Sequence, residues 1–198
     1  MKSLLGLSRL IDALNERVGR AVLWLVLASV LISAGNAIVR KVFGTSSNAW
    51  LEIQWYLYAA VFLLAAGYTF RHNEHVRIDV ITARFSVRTR NWIDVFGIVV
   101  FLMPWAILMV LLGWPFFTQA WVSGEMSSNF GGLIRWPVHL LIPLGFGLLG
   151  LQGISELIKR LAFLRGLAPD PLSRQTDKTG EDELAEFLRQ QQAKDGTK

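Results

Sequence analysis

Four long apolar runs constrain this chain more than any other feature. They cover about residues 21–39 (AVLWLVLASVLISAGNAIV), 50–70 (WLEIQWYLYAAVFLLAAGYTF), 92–117 and 137–158. A run of about 20 apolar residues crosses the roughly 30 Å hydrocarbon core of a bilayer as a helix. Lipid offers no partner to an open backbone, so such runs cannot be loops or isolated strands. The pattern predicts an all-α integral membrane protein with four transmembrane helices. The third run is the longest, which predicts tilt, with Pro104 as a kink near its middle. Trp50, Trp55, Trp92, Trp114, Trp121 and Trp136 fall at or near the run ends, where aromatic belts form. Charged residues make up 18% of the 198, against roughly 25% in soluble domains.

Three segments follow from this reading: residues 1–19, an amphipathic N-terminal helix; 20–160, the four-helix transmembrane domain; and 161–198, a polar tail. In the first, Leu4, Leu7, Ile11, Leu14 and Val18 recur at helical spacing, with Ser8, Arg9, Asp12, Asn15 and Glu16 on the other face. That pattern predicts a helix lying in the membrane interface. A cleaved signal peptide fits less well, because the leading region carries two acids and no clear A-x-A site follows the apolar core. In the tail, GEDELAEFLRQQQAKDG has acids first and bases last, a marginal helix with a thin apolar face of Leu184, Phe187 and Leu188.

Seventeen of the 20 Lys and Arg residues precede the first run, separate the second from the third, or follow the fourth. Only Arg40, Lys41 and Arg135 lie on the other side. The positive-inside rule then puts both termini in the cytoplasm. The net charge of +5 borders apolar runs and points to anionic lipid, with no nucleic acid implied. The absence of cysteine excludes disulfides, thiolate-bound zinc, iron–sulfur clusters and thiol redox chemistry.

Few residues carry candidate chemistry. RHNEHVRIDV, residues 71–80, holds His72 and His75 with Glu74 and Asp79. These are metal-ligand types, but Arg71, Arg77 and Arg84 would oppose a cation, and a polar helix end explains the same residues. GFGLLG, residues 145–150, matches a dinucleotide fingerprint only in letters. It lies inside an apolar run and, with Gly153, predicts a small-residue face for close helix packing. Bis-histidine haem needs two facing histidines, and only His139 lies within a run. Glu52 and Asp94 are expected in the first turns of the second and third spans, where a helix N-terminus stabilises an acid. Glu156 lies one turn before Lys159 and Arg160. The loop between the third and fourth runs mixes Trp121, Glu125, Phe130, Arg135 and Trp136, a composition suited to a protein interface. Catalytic, cofactor-binding and metal-binding residues are not expected.

Several of these stretches occur together in an informative order. Glu52 heads a span running through Tyr56 to Ala65, Ala66 and Gly67; Arg71 to Val80 reads R-x-x-x-H-V-R-x-D-V; and Trp136 to Gly145 reads WPVHLLIPLG. Over about residues 10–160 the chain resembles the small permease subunit of tripartite ATP-independent periplasmic (TRAP) transporters. The resemblance implies a multi-pass protein of the bacterial inner membrane that scaffolds a larger multispan permease subunit. It implies uptake of an organic acid or related solute delivered by a periplasmic solute-binding protein. The coupling ion, usually sodium, is then expected in the large subunit, and no cofactor in this one. Glu52, Trp55, Glu125, Arg135, Trp136 and Pro137 become candidate partner-interface residues. Arg71, His75, Arg77 and Asp79 become a family signature at a cytoplasmic helix end. Two other readings remain open on the residues alone: a stand-alone ion-coupled transporter using Glu52, and a redox or quinone-linked membrane subunit.

Overall fold

The structure is a computed structural model that describes residues 2–45, 47–72 and 85–169. Among them, α1 spans Lys2–Phe43, α2 Asn48–His72, α3 Val87–Gly97, α4 Met103–Ser123 and α5 Trp136–Leu164. A π-helical turn, Ile98–Leu102, joins α3 to α4 without a break. Four stretches are long and apolar enough to cross a membrane: Ser3–Phe43, Asn48–His72, Val87–Ser123 and Trp136–Leu164. The four expected spans are therefore present, each longer than its apolar run.

No break separates the amphipathic N-terminal stretch from the first span. The helix α1 is 42 residues long, about 63 Å at 1.5 Å per residue and twice the hydrocarbon thickness. Arg40 and Lys41 occupy its last turn, where cations favour the exposed carbonyls, and Gly44 ends it at φ 65°. The start of α3 is fixed by Ser86, whose hydroxyl accepts from the Thr89 N–H at 3.3 Å. Pro104 has no N–H to give the preceding turn and its ring crowds the carbonyl four residues back. The chain widens just before it, and the Met103 N–H reaches Ile98 O, five residues back. The expected irregularity at Pro104 thus takes the form of a π turn. Left-handed Gly124, at φ 60°, closes α4.

Residues Met1–Ile158 form one compact unit and Lys159–Lys198 another. In the second, the described end of α5 closes in a Schellman motif. Gly166, at φ 72°, donates to Phe163 O at 2.8 Å and Leu167 donates to Ala162 O at 2.9 Å.

The first unit is polar inside and apolar outside. Its buried side chains include Ser8, Asn15, Ser29, Asn36, Asn91, His139, Gln152, Ser155 and Glu156, while the buried apolar ones are few and mostly small. Leu23, Trp24, Phe62, Phe101, Leu111 and Leu112 face outward. Hydrocarbon makes this arrangement favourable, because apolar side chains gain nothing by leaving lipid while polar ones must find one another. Close helix contact comes from glycine, as the GFGLLG run predicts. A Cβ on Gly145 would stand 2.7 Å from Leu63 O of α2, and one on Gly153 would stand 2.7 Å from Leu102 Cδ2.

Candidate functional site

Two polar clusters stand out in the first unit. One lies near the start of α1 and the other where α2 begins.

In the first cluster, the stripe Ser8, Asp12, Asn15 and Glu16 of α1 faces α2 and α5. The hydroxyls of Ser8 and Ser155 are 2.7 Å apart. Ser155 also donates to Asp12 Oδ1 at 2.7 Å, and Gln152 Nε2 donates to the same oxygen at 2.9 Å. Asn15 Nδ2 donates to Gln152 Oε1 at 3.0 Å. From α2, Arg71 Nη1 donates to Asp12 O at 2.8 Å and to Glu16 Oε2 at 2.7 Å. His72 Nε2 lies 3.0 Å from the same Glu16 oxygen, which leaves its ring satisfied by a carboxylate. Gly67 makes room for this meeting: a Cβ there would overlap Asn15 Oδ1 and come within 3.2 Å of Leu148 O. Three helices are joined at one level, so the polar face expected to meet lipid headgroups meets protein. Leu4, Leu7, Leu10 and Leu14 are exposed.

The stripe continues along α1. Ser8, Asn15, Val22, Ser29 and Asn36 are all buried and recur every seventh residue. A seven-residue repeat keeps one seam against a neighbouring helix if the pair supercoils. Sequence reasoning missed this seam, although its signal lay in plain view as small and polar residues at heptad spacing inside an apolar run.

The second cluster centres on Glu52. Helix α2 begins at Asn48, so Glu52 lies past the first turn, and the expected helix N-terminus is not its partner. Its carboxylate instead accepts the Leu133 N–H at 2.6 Å, Asn129 Nδ2 at 2.8 Å, and the Ser127 hydroxyl. All three belong to a small hairpin after α4, in which Met126 bridges Ile134 and Ser127 N–H meets Leu133 O at 2.9 Å. Tyr56 donates to Ile134 O at 3.1 Å and Asn48 Nδ2 to Phe130 O at 2.9 Å. Arg135 pairs with Glu125 at 3.3 Å. The start of α2 is thus stapled to the hairpin. Asp94 likewise misses its expected place, because α3 starts at Val87 and puts it in the second turn.

Beside this staple lies a hollow of about 360 Å³ lined by Glu52, Trp55, Tyr56, Ser127, Asn129, Arg135, Val138 and His139. His139 is stacked on Phe116 at 4.1 Å, and its buried Nδ1 has no partner among the described residues. Trp136 meets Trp121 edge-on at 4.6 Å and Phe117 at 6.4 Å, so it is part of an aromatic cluster of the bundle. Trp55 and the hairpin-tip Phe130 stand free, 73% and 97% exposed. Of the six candidate interface residues, the structure brings Glu52, Trp55, Glu125, Arg135, Trp136 and Pro137 to one end of the unit but gives Glu52 and Trp136 internal duties. Arg71 belongs to the first cluster, while His75, Arg77 and Asp79 lie outside the described residues. No group of three metal-ligating side chains occurs among the described residues.

Residues 29–163 match the family model described as tripartite ATP-independent periplasmic transporters, DctQ component. No curated protein matches the chain, and no solved structure does.

Proposed function

Because the chain belongs to the DctQ component family and is thus a small component of a TRAP transporter, we propose that it serves as a membrane scaffold for a larger multispan permease subunit. That partner moves the solute, an organic acid or related compound, with a coupling ion such as sodium. A periplasmic solute-binding protein delivers the solute. The assembly sits in the bacterial inner membrane, with both termini of this chain in the cytoplasm and the hairpin end outside.

The observation that carries the scaffold reading is where the polar groups go. The carboxylates Asp12, Glu16, Glu52, Glu125 and Glu156 each meet a donor of the same chain. A transporter binding its own solute or ion would leave such groups facing a path at mid-membrane. Here they lock helices together and leave a broad apolar exterior. The hairpin end supports a second part of the reading: Phe130 and Trp55, exposed beside the Arg135–Glu125 pair, form a surface suited to a soluble partner.

Purification of the tagged chain from its native membrane in mild detergent tests the first part. Recovery of a much larger multispan protein in equal amount is expected; recovery of the folded chain alone would count against it. Solute uptake tests the second. Phe130→Ala and Arg135→Ala are expected to weaken uptake without lowering the amount of chain in the membrane. Normal uptake in both variants would remove the docking surface. Trp136→Ala is a poorer probe, because it also disrupts the aromatic cluster.

A further inference from the structure

At the far end of α1 the seam opens into a groove beside the start of α2. It encloses about 470 Å³ between α1 and α2 and is lined by Ser33, Asn36, Ala37, Arg40, Lys41, Leu51 and Gln54. Three features set it apart. First, its lining holds two cations and no carboxylate, and neither Arg40 nor Lys41 enters an ion pair among the described residues. Second, Asn36 is only 9% exposed and its buried Oδ1 has no hydrogen-bond partner among the described residues. A buried amide oxygen left bare costs about 1–3 kcal/mol, and as an acceptor it favours an occupant that brings a hydrogen-bond donor. Third, Leu51 in its lining is apolar and exposed, as is Trp50 next to it in the chain. Helix-dipole neutralisation accounts for the two cations alone, but not for a cavity, a bare amide or an apolar rim.

We propose that this groove holds the headgroup of phosphatidylglycerol, with Arg40 and Lys41 on the phosphate oxygens and a glycerol hydroxyl donating to Asn36 Oδ1 beside Ser33 and Gln54. The apolar run of α1 ends at Val39, so the two cations stand where hydrocarbon gives way to headgroups. Exposed Leu51 and Trp50 give the acyl chains an apolar surface to follow. A free phosphate ion would have no use for that surface, and a carboxylate of a protein partner would not need it either.

The test is native mass spectrometry of the full chain released from mild detergent after exchange into phosphatidylglycerol or phosphatidylcholine, read with thermal unfolding. One retained phosphatidylglycerol per chain is expected. The double variant Arg40→Gln, Lys41→Gln should retain it roughly thirtyfold less, at about 1 kcal/mol per cation. Its unfolding temperature without added lipid should fall only slightly, by the helix-end contribution of the two cations, and should no longer rise when phosphatidylglycerol is added. Asn36→Leu should weaken retention independently of charge. Equal retention by wild type and both variants would overturn the proposal. So would inorganic phosphate that displaces the lipid and stabilises the chain equally, which would make the site one for a free anion. A protein cross-linked at Arg40 in native membranes, with no lipid retained, would also overturn it.

Discussion

At the start of α2 one carboxylate, Glu52, gathers three donors from a hairpin 75 to 81 residues further along. Near the start of α1 the carboxylates Asp12 and Glu16, with Gln152 and Ser155, tie α1 to α2 and α5. The two clusters use similar groups at similar distances, yet they hold different things. One fastens a loop to a helix end; the other fastens helices to each other within a unit that has few large buried apolar side chains. The difference teaches that in such a unit polar contacts between helices take the part that a hydrophobic core plays in a soluble domain. Those between helix and loop govern only local opening.

The sharpest way to break this comparison is Gln152→Leu. It removes the acceptor of Asn15 and a donor to Asp12, leaving each group short of a partner at about 1–3 kcal/mol apiece. Unfolding in detergent should shift for the bundle as a whole; an unchanged midpoint would show that the cluster does not clamp the helices. Next in size is Glu52→Ala, which strips the Leu133 N–H, Asn129 and Ser127 of their shared acceptor. Hydrogen exchange should quicken over residues 127–134 while α5 keeps its protection. Loss of protection throughout would erase the distinction between the two clusters. Tyr56→Phe removes a single hydrogen bond to Ile134 O and should cost about 0.5–1.5 kcal/mol, again read at the hairpin amides. Smallest is the coupling between the clusters. Glu52 and Gly67 are about 22 Å apart along α2 at 1.5 Å per residue, so Gln152→Leu and Glu52→Ala should add within about 0.5 kcal/mol.

Much of this was legible in the sequence, and the reason differs by element. Run length announced the spans because bilayer thickness sets it. Gly145 and Gly153 announced close packing because nothing larger fits. The amphipathic face at residues 4–18 was also legible, but periodicity tells only that two faces exist. Which one turns inward depends on what surrounds the helix, and here Asp12 and Asn15 turn toward other helices while Leu7 and Leu14 turn outward. The helix starts were read too late, near the start of each apolar run, because the polar residues 88–91 and Asn48 are helical too. The partners of Glu52 were not legible at all, since nothing in the spacing joins it to Ser127, Asn129 and Leu133.

The seam of α1 has one more consequence, concerning insertions and deletions. Each residue of a helix advances the rest by about 100°. Removing one residue between Val22 and Ser29 would therefore seat Val30 and Ala37 where Ser29 and Asn36 now lie. It would also swing Arg40 out of register with Leu51 and Gln54, although no side chain at either end had been altered. Removing seven would shorten the helix by about 10 Å and keep nearly every side chain in phase. The phase of α1 is thus kept only by indels close to a whole number of turns, such as seven or eleven residues, and one or two residues rewrite one end of the helix relative to the other.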